Sequence, residues 1–173
     1  MPPANALPPI EDCNCAAVRA AARHVTQFYD QFLAPTGLRT TQFSILARIR
    51  RGGPLAISEL ANAMAMDRTT LGRNILPLER DRLIAIGPAP SDRRTKMIRL
   101  TKAGETRFAA AHKAWAAAQA RFESVYGAER SAALRTLLQA VVASELTPAE
   151  ASHPSFLDSR QGRHICRNIK NRR

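Results

Sequence analysis

The chain has 173 residues, of which 45% are hydrophobic and 23% charged, and its formal net charge is +12 at pH 7. This length suits one domain with a hydrophobic core. The excess of Lys and Arg suits a polyanionic partner such as nucleic acid. A basic surface that is only solvated would carry the same charge. No apolar run approaches the roughly 18 residues of a membrane-spanning helix, and three cysteines do not make a disulfide framework, so we expect a cytoplasmic protein without membrane contact.

The first third of the chain is predicted to form a loose arm and two helices. Residues 1–10 contain four prolines, which favours an irregular arm. In residues 11–33 apolar side chains recur every three to four positions, and Pro35 and Gly37 follow, so we expect one long helix here. A second helix is expected over residues 40–51, because the same periodicity is followed by two glycines and a proline.

Residues 58–80 have the pattern of a helix-turn-helix. A short apolar-periodic segment near residues 58–65 is followed by Asp67, a typical N-cap residue, and by a second helix. The apolar face of that second helix carries Leu71, Ile75 and Leu78, and its polar face carries Thr69, Arg73 and Arg80. Pro77 removes one intrahelical hydrogen bond, so we expect a bent but continuous helix. Such a layout is typical of a DNA-reading helix-turn-helix.

Two short, partly β-branched segments follow this helix. Residues 83–86 and 96–100 are predicted strands, and they flank a turn-rich basic connection over residues 87–95. A hairpin placed directly after a recognition helix indicates a winged helix-turn-helix. Residues 67–104 hold nine Lys and Arg against four Asp and Glu, a net charge of +5 that suits contact with phosphates.

The C-terminal part is predicted to contain two more helices and a tail. Thr101 is the expected N-cap of a long helix in which an aromatic side chain recurs every seven residues, at Phe108, Trp115 and Phe122. A final helix carries leucines and valines up to Leu146. Residues 147–173 lose this periodicity and are expected to form a disordered basic tail that attracts phosphate non-specifically.

Four motifs, in this order, resemble the MarR family of bacterial regulators. They are Asp67-Arg-Thr-Thr-Leu71, Leu78-Glu-Arg80, Asp92-x-Arg94 and Leu100-Thr-x-x-Gly104. The resemblance covers roughly residues 13–144. It implies a mainly α domain over residues 11–146, with a winged helix-turn-helix at 38–101 and dimerisation helices at 11–36 and 102–146. It also implies a homodimer that reads a pseudo-palindromic operator in double-stranded DNA, with half-sites about one turn (~10 bp) apart.

The candidate DNA contacts lie in the second helix of the helix-turn-helix and in the wing. They are Arg68, Thr69, Thr70, Arg73, Arg80, Asp92, Arg93, Arg94 and Lys96. Arg73 is expected at base edges or phosphates of the major groove, since a guanidinium pairs bidentately with guanine. The resemblance implies that the wing reaches the minor groove or its phosphates. Asp92 is expected to pair with Arg94 and so orient the wing, either as a structural pair alone or beside an Arg93 that contacts DNA.

The family resemblance further implies a repressor that is relieved by a small molecule bound between the dimerisation helices and the winged helix. In this chain Tyr29, Arg48, His112 and Trp115 are the candidates for lining that site. The sequence contains no Gly-rich phosphate loop, HExxH or GxSxG motif. We therefore expect no enzymatic activity, no metal and no cofactor.

Cys13 and Cys15 leave two interpretations open. Two positions apart on a helix, their side chains would point about 200° away from each other and would not easily bond together. Without further Cys or His nearby, the pair is also a poor zinc site. One interpretation is a thiol-based redox-sensing repressor, because a helix N-terminus favours the thiolate and the organic hydroperoxide regulators of the MarR family have a sensing cysteine at a similar position. The other is that both are small hydrophobes in a dimer interface.

A further alternative comes from a different functional class. A winged helix can also serve as a module that binds a protein or RNA. Duplex DNA affinity that is insensitive to Arg73 and Arg94 would favour that module.

Overall fold

Helices predominate in the described part of the chain. The computed structural model describes residues 9–89, 94–144 and 146. In chain order the elements are α1 (Asn14–Leu33), α2 (Thr40–Gly52), β1 (Leu55–Ala56), α3 (Ile57–Ala63), α4 (Arg68–Arg80), β2 (Ile84–Pro88), β3 (Lys96–Leu100), α5 (Lys102–Tyr126) and α6 (Ala128–Ala143). The predicted mainly α winged helix-turn-helix is confirmed. The expected arm up to residue 8, the wing residues Asp92 and Arg93, and the expected tail from residue 147 lie outside the described residues.

The first helix begins later than the sequence pattern predicts. Ile10–Asp12 form a single 3-10 turn, which the Cys13 amide closes by donating to the Ile10 carbonyl at 3.1 Å. Cys13 then has an extended backbone, with φ −80° and ψ 109°, and α1 starts at Asn14. The expectation of a helix from residue 11 is therefore wrong. The prolines before this segment and the closed 3-10 turn explain why regular helix starts only after Cys13.

The recognition helix α4 is continuous through Pro77, as predicted. Its apolar face is buried, with Leu71, Ile75 and Leu78 between 0% and 5% exposed. This face packs into the same core as α2 and α3. The most fully buried side chains of that core include Leu33, Ile45, Leu46, Ile49, Leu60 and Ile98.

The wing contains one more strand than the sequence predicts. β2 and β3 form the expected antiparallel hairpin, with Ile86 opposite Ile98. The two-residue strand β1 pairs with the other edge of β3, so Leu55 also lies opposite Ile98 and the sheet order is β1-β3-β2. Two residues are too few to show an alternating pattern, which is why β1 was not recognised. Because Ile98 is completely buried in the central strand, the wing is anchored to the core.

The junction between the wing and α5 is closely packed. Thr101 caps α5 as predicted, since its hydroxyl oxygen accepts a hydrogen bond from the Gly104 amide at 3.0 Å. A Cβ atom added at Gly104 would overlap the Leu83 carbonyl oxygen. The helix can therefore approach the start of the wing this closely only because residue 104 has no side chain.

The last helix is largely solvent-exposed in the single chain. Among the described residues of α6, only Ser131 is buried. Large apolar side chains are exposed on α1, on the end of α5 and on α6: Val18, Val125, Tyr126, Leu137, Leu138, Val141 and Val142. None of the helices in the described ranges combines the length and the apolar character needed to cross a membrane.

Candidate nucleic-acid interface

The start of the recognition helix is held by its N-cap residue. Asp67 accepts hydrogen bonds from the Thr70 hydroxyl at 2.6 Å and from the Thr70 amide at 2.8 Å. These two hydrogen bonds hold the pKa of Asp67 below its usual value. The predicted cap is thus observed, and it occupies the hydroxyl proton of Thr70. Because that proton is already donated, Thr70 is less suited to donate to a phosphate than the sequence suggested.

The outer face of α4 presents polar and cationic groups to solvent. Thr69 and Arg73 are exposed on the side opposite the buried stripe, and Arg68 is exposed at the first helical position. Arg80 is also exposed, and its Nε donates to Asp81 at 3.0 Å. Arg68, Thr69 and Arg73 therefore stand where a recognition helix contacts DNA with its N-terminal residues, whereas Arg80 is held in a local ion pair.

A polar cleft lies beside this face. It has a volume of about 300 Å³ and lies between α1, the start of α2 and α4. Arg39 lies in its wall and pairs with Asp30 at 3.3 Å, and Arg73 lines the side that α4 contributes. Asn74 lines it too, while its side-chain amide donates to the Thr70 carbonyl at 2.8 Å. The sequence pattern did not single out Arg39 or Asn74, because neither residue lies on the face directly opposite the buried stripe.

The wing adds further cations. Lys96 and Arg99 are exposed on β3, and Arg94 is exposed just before it. The hairpin is closed by the Ala89 amide, which donates to the Thr95 carbonyl at 2.9 Å. Asp92 and Arg93 lie outside the described residues, so the pairing of Asp92 with Arg94 stays a prediction.

A second cavity lies between α1, α5 and α6. Its volume is about 580 Å³ and its lining is mainly apolar. Tyr29 and Trp115, two of the four effector-site candidates, line it together with Phe122, Leu134 and Leu138. We call it the apolar cavity.

Arg48 and His112 do not line the apolar cavity. Arg48 is exposed on α2. His112 lies one turn before Trp115, where its ring packs against Phe108 at 5.8 Å and Trp115 at 5.6 Å between centroids. The structure thus brings only two of the four candidates together in this cavity, and the assignment of all four to an effector site stays a prediction. Sequence periodicity gives the face of a helix that a residue occupies, but not how far along the helix a cavity extends.

Polar groups at one side of the apolar cavity connect the three helices around it. The Tyr29 hydroxyl donates to Gln119 Oε1 at 2.6 Å, and Gln119 Nε2 donates to Glu123 at 2.8 Å. Arg135 of α6 donates to the same Glu123 oxygen at 3.1 Å. Burial, and next the charge of Glu123, raise the pKa of Tyr29. The Tyr29 hydroxyl therefore stays protonated and acts as the donor in this chain of hydrogen bonds.

Cys13 and Cys15 are both exposed free cysteines at the start of α1. Cys13 precedes the helix and has an extended backbone, so the two residues do not share a helical geometry. The argument that their side chains diverge by about 200° is therefore wrong. Among the described residues nothing buries them, so the interpretation as interface hydrophobes requires a partner or residues outside the described ranges.

Comparison with known proteins relates the winged helix of this chain to one family. The model of the MarR family matches residues 38–96. The curated HTH-type transcriptional repressor NicR of Pseudomonas putida is 34% identical over 86 residues, which are 50% of this chain and 54% of NicR. The chain therefore spans about half the length of that relative.

Solved structures extend the similarity over most of the chain. The M. tuberculosis transcriptional regulator MosR, in complex with DNA, is 36% identical, with a TM-score of 0.67 over 78% of this chain and 100% of MosR. The transcriptional repressor CouR, bound to a 23-mer DNA duplex, is 25% identical, with a TM-score of 0.69 over 76% of this chain and 94% of CouR. Taken with the match to the family model over the winged helix, this similarity shows that the chain belongs to the MarR family of transcriptional regulators.

Proposed function

We propose that the protein is a cytoplasmic, homodimeric repressor that binds a pseudo-palindromic operator in double-stranded DNA. The observation that carries this proposal is the outer face of α4, which is capped by Asp67 and presents Thr69 and Arg73 to solvent. MosR and CouR, which are similar in sequence and fold, have been solved bound to DNA, and NicR is a repressor.

The proposed recognition divides the interface into two parts. α4 enters the major groove, where Arg73 pairs with a base edge. Lys96 and the neighbouring wing cations bind phosphates, which positions the protein without reading sequence. The charge of the interface thus supplies affinity, and the side chains of α4 supply specificity.

The exposed apolar side chains of α1, the end of α5 and α6 support the homodimer. Leu137 is 66% exposed and Val142 is 71% exposed, on a helix that buries only Ser131 among the described residues. Extended apolar surface of this kind is typical of a protein–protein interface. A second copy of the chain that covers this surface places two α4 helices on successive major grooves.

A small apolar molecule in the apolar cavity is the proposed effector. The cavity lies between α1, which belongs to the proposed dimerisation region, and α5, which leads directly from the wing. An effector that binds more tightly when the two α4 helices are badly spaced for DNA must lower operator affinity. The size of that effect is limited by its differential affinity for the two spacings.

A thiol switch is the second candidate for relief of repression. The exposure of both Cys13 and Cys15 favours it, because a hydroperoxide can reach either sulfur. The hydroperoxide oxidises one thiol to a sulfenic acid and leaves as an alcohol, and a second thiol then displaces water to form a disulfide. If Cys13→Ser/Cys15→Ser retains a full response of DNA binding to cumene hydroperoxide, this candidate is wrong.

The test of the proposed function is fluorescence anisotropy with duplexes selected from a randomised DNA library. Wild-type protein should enrich a two-fold related sequence and bind it in preference to scrambled duplex at the same salt concentration. Arg73→Ala should weaken binding to the selected duplex about 5- to 150-fold, the range that loss of roughly 1–3 kcal/mol gives. Lys113→Ala removes one positive charge from an exposed position of α5 and is the matched control. Duplex affinity that is unchanged when Arg73→Ala and Arg94→Ala are combined would instead favour a winged helix that serves a protein or RNA partner.

A further inference from the structure

Leu76 is an exception to the amphipathic pattern of the recognition helix. It is 61% exposed, whereas the three apolar residues of the buried stripe of α4 are at most 5% exposed. It lies one turn beyond Arg73 and two turns beyond Thr69, so the three side chains share the outer face of the helix. Burial in the core therefore does not explain a leucine at this position.

Gly72 is a second exception, one turn before Leu76 on the same side of the helix. A Cβ atom added at Gly72 would meet no atom of the described residues within 4 Å. Its φ is not positive either, so the backbone does not require glycine. Glycine is nevertheless a weaker helix former than alanine. Neither close packing within the described chain nor backbone geometry accounts for this residue.

We infer that Gly72 and Leu76 form a contact surface for the 5-methyl group of a thymine in the major groove. Thymine is the only base that presents a methyl group there, and apolar side chains recognise it by direct contact. The missing side chain at Gly72 lets the helix backbone approach the base edges, and the Leu76 side chain then covers the methyl group. The inference rests on the proposed DNA-binding function and adds to it a residue that determines specificity.

The surroundings of these two residues favour DNA over a protein as the occupant. The face that carries them also carries Arg73, and Arg68 is exposed at the start of the same helix. Leu76 is the one large apolar side chain among the exposed residues of α4. A stable protein interface buries roughly 800 Å² on each partner, far more than a single leucine can supply. Contact with one methyl group, in contrast, requires only one apolar side chain.

The helix geometry also fixes where the thymine lies. Arg73 and Leu76 are three residues apart, which is about 4.5 Å along the helix axis. Successive bases of one strand are about 3.4 Å apart. The thymine should therefore lie one or two base pairs from the pair that Arg73 contacts, once in each half-site.

The experiment exchanges single thymines for deoxyuridine in the duplex that the library selection yields, because deoxyuridine lacks only the methyl group. Exchange of one thymine in one half-site should weaken wild-type binding about fourfold, the effect of losing one buried methyl group, and exchange in both half-sites about 15-fold. Leu76→Ala should bind the thymine duplex more weakly than wild type and should not distinguish thymine from deoxyuridine at that position. Leu76→Met, which keeps an apolar side chain, should retain the discrimination.

Gly72→Ala tests the close approach independently. It should raise or maintain the melting temperature of the free protein, because alanine favours helix, and it should still weaken binding to the selected duplex. Unchanged duplex affinity would overturn the role of Gly72.

Two outcomes separate this inference from the proposed function. If the Leu76→Ala substitution lowers the affinity for the thymine and the deoxyuridine duplex by the same factor relative to wild type, the methyl contact is overturned while specific DNA binding stands. If the library yields no enriched sequence, the proposed function fails and the inference fails with it. Melting curves of Leu76→Ala, Leu76→Met and Gly72→Ala show that any loss of binding comes from folded protein.

Discussion

Asp30 and Thr40 join the first helix to the winged helix by two short hydrogen bonds. One carboxylate oxygen of Asp30, on α1, accepts from both the amide and the hydroxyl of Thr40 at the start of α2, each at 2.7 Å. Arg39 adds an ion pair at 3.3 Å to the other oxygen. Because α1 belongs to the proposed dimerisation region and α2 packs directly on α4, these hydrogen bonds connect that region to the recognition helix through a single intervening helix.

Asp30→Asn should destabilise the protein by roughly 1–3 kcal/mol, because hydrogen bonds to a charged acceptor weaken when the acceptor becomes neutral. Burial raises the pKa of Asp30, but the hydrogen bonds from Thr40 and Arg39 outweigh it, so the net pKa is lowered. The stability that the carboxylate contributes is thus complete above its unfolded pKa of about 3.9 and is lost as the pH falls through the lower folded pKa. Urea unfolding from pH 7 to pH 3 measures this contribution.

The exposed Asp12 supplies the control for that experiment, as Asp12→Asn should leave the free energy of unfolding at pH 7 unchanged. Below about pH 4, the free energy of unfolding should decrease less with falling pH in Asp30→Asn than in wild type. If the free energy of unfolding depends on pH identically in wild type and Asp30→Asn, the role assigned to Asp30 is contradicted.

Thr101→Val should destabilise the junction of the wing and α5 by about 1–2 kcal/mol. The Thr101 hydroxyl accepts from the Gly104 amide at 3.0 Å and donates to the Arg82 carbonyl at 2.6 Å. Arg82 has a positive φ of 57°, which the second of these hydrogen bonds helps to maintain. Thr106→Val is the matched control, since the Thr106 hydroxyl only donates to the Lys102 carbonyl one turn back in the same helix. Equal melting temperatures for the two valine variants would contradict this account.

Gly104→Ala should destabilise the protein by roughly 1–3 kcal/mol, the usual cost of overpacking. The added methyl group would overlap the Leu83 carbonyl oxygen, and because that obstacle is backbone, α5 must move away from the wing. Gly87→Ala is a suitable comparison, as a Cβ at Gly87 meets no described atom within 4 Å. Chemical denaturation should show a lower midpoint for Gly104→Ala alone.

The local elements were predictable because their signals are local. Asp67 and Thr101 were recognised as N-caps from residue type and position, and the stripe of Leu71, Ile75 and Leu78 follows from helical periodicity alone. Each of these features depends on residues within one or two turns of each other. The sequence therefore sufficed for the recognition helix and for the start of α5.

Features that depend on distant parts of the chain were not predictable in the same way. Two such features are the hydrogen bonds between Asp30 and Thr40 and the pairing of β1 with β3. Each joins residues whose proximity no periodic pattern reveals. The same limit applies to His112, which has the right helical spacing for the apolar cavity but lies beyond its end. Exposure is also a property of the folded chain, and it is what separates Leu76 from its apolar neighbours on α4.

Trp115 should report occupation of the apolar cavity. It is the single tryptophan of the chain and lines this cavity. Binding of the apolar dye 1-anilinonaphthalene-8-sulfonate should quench Trp115 emission by energy transfer to the dye. Ala22→Phe, which places a ring in the cavity lining, should abolish the transfer in a protein of unchanged melting temperature. Equal transfer in wild type and Ala22→Phe would show that the dye binds elsewhere.

Lys96→Ala should lower DNA affinity uniformly across sequences, in contrast to Arg73→Ala. Lys96 is exposed at the start of β3, next to the loop that connects the two strands of the wing, where it suits a phosphate contact. Loss of one phosphate contact per subunit should reduce the slope of log K against log salt by about 1 for each contact removed. Anisotropy titrations on selected and scrambled duplexes between about 50 and 200 mM salt measure both quantities. If Lys96→Ala instead changes the ratio of the affinities for selected and scrambled duplex and leaves the salt slope unaltered, Lys96 reads bases. The reason is that phosphate contacts release counterions without regard to sequence.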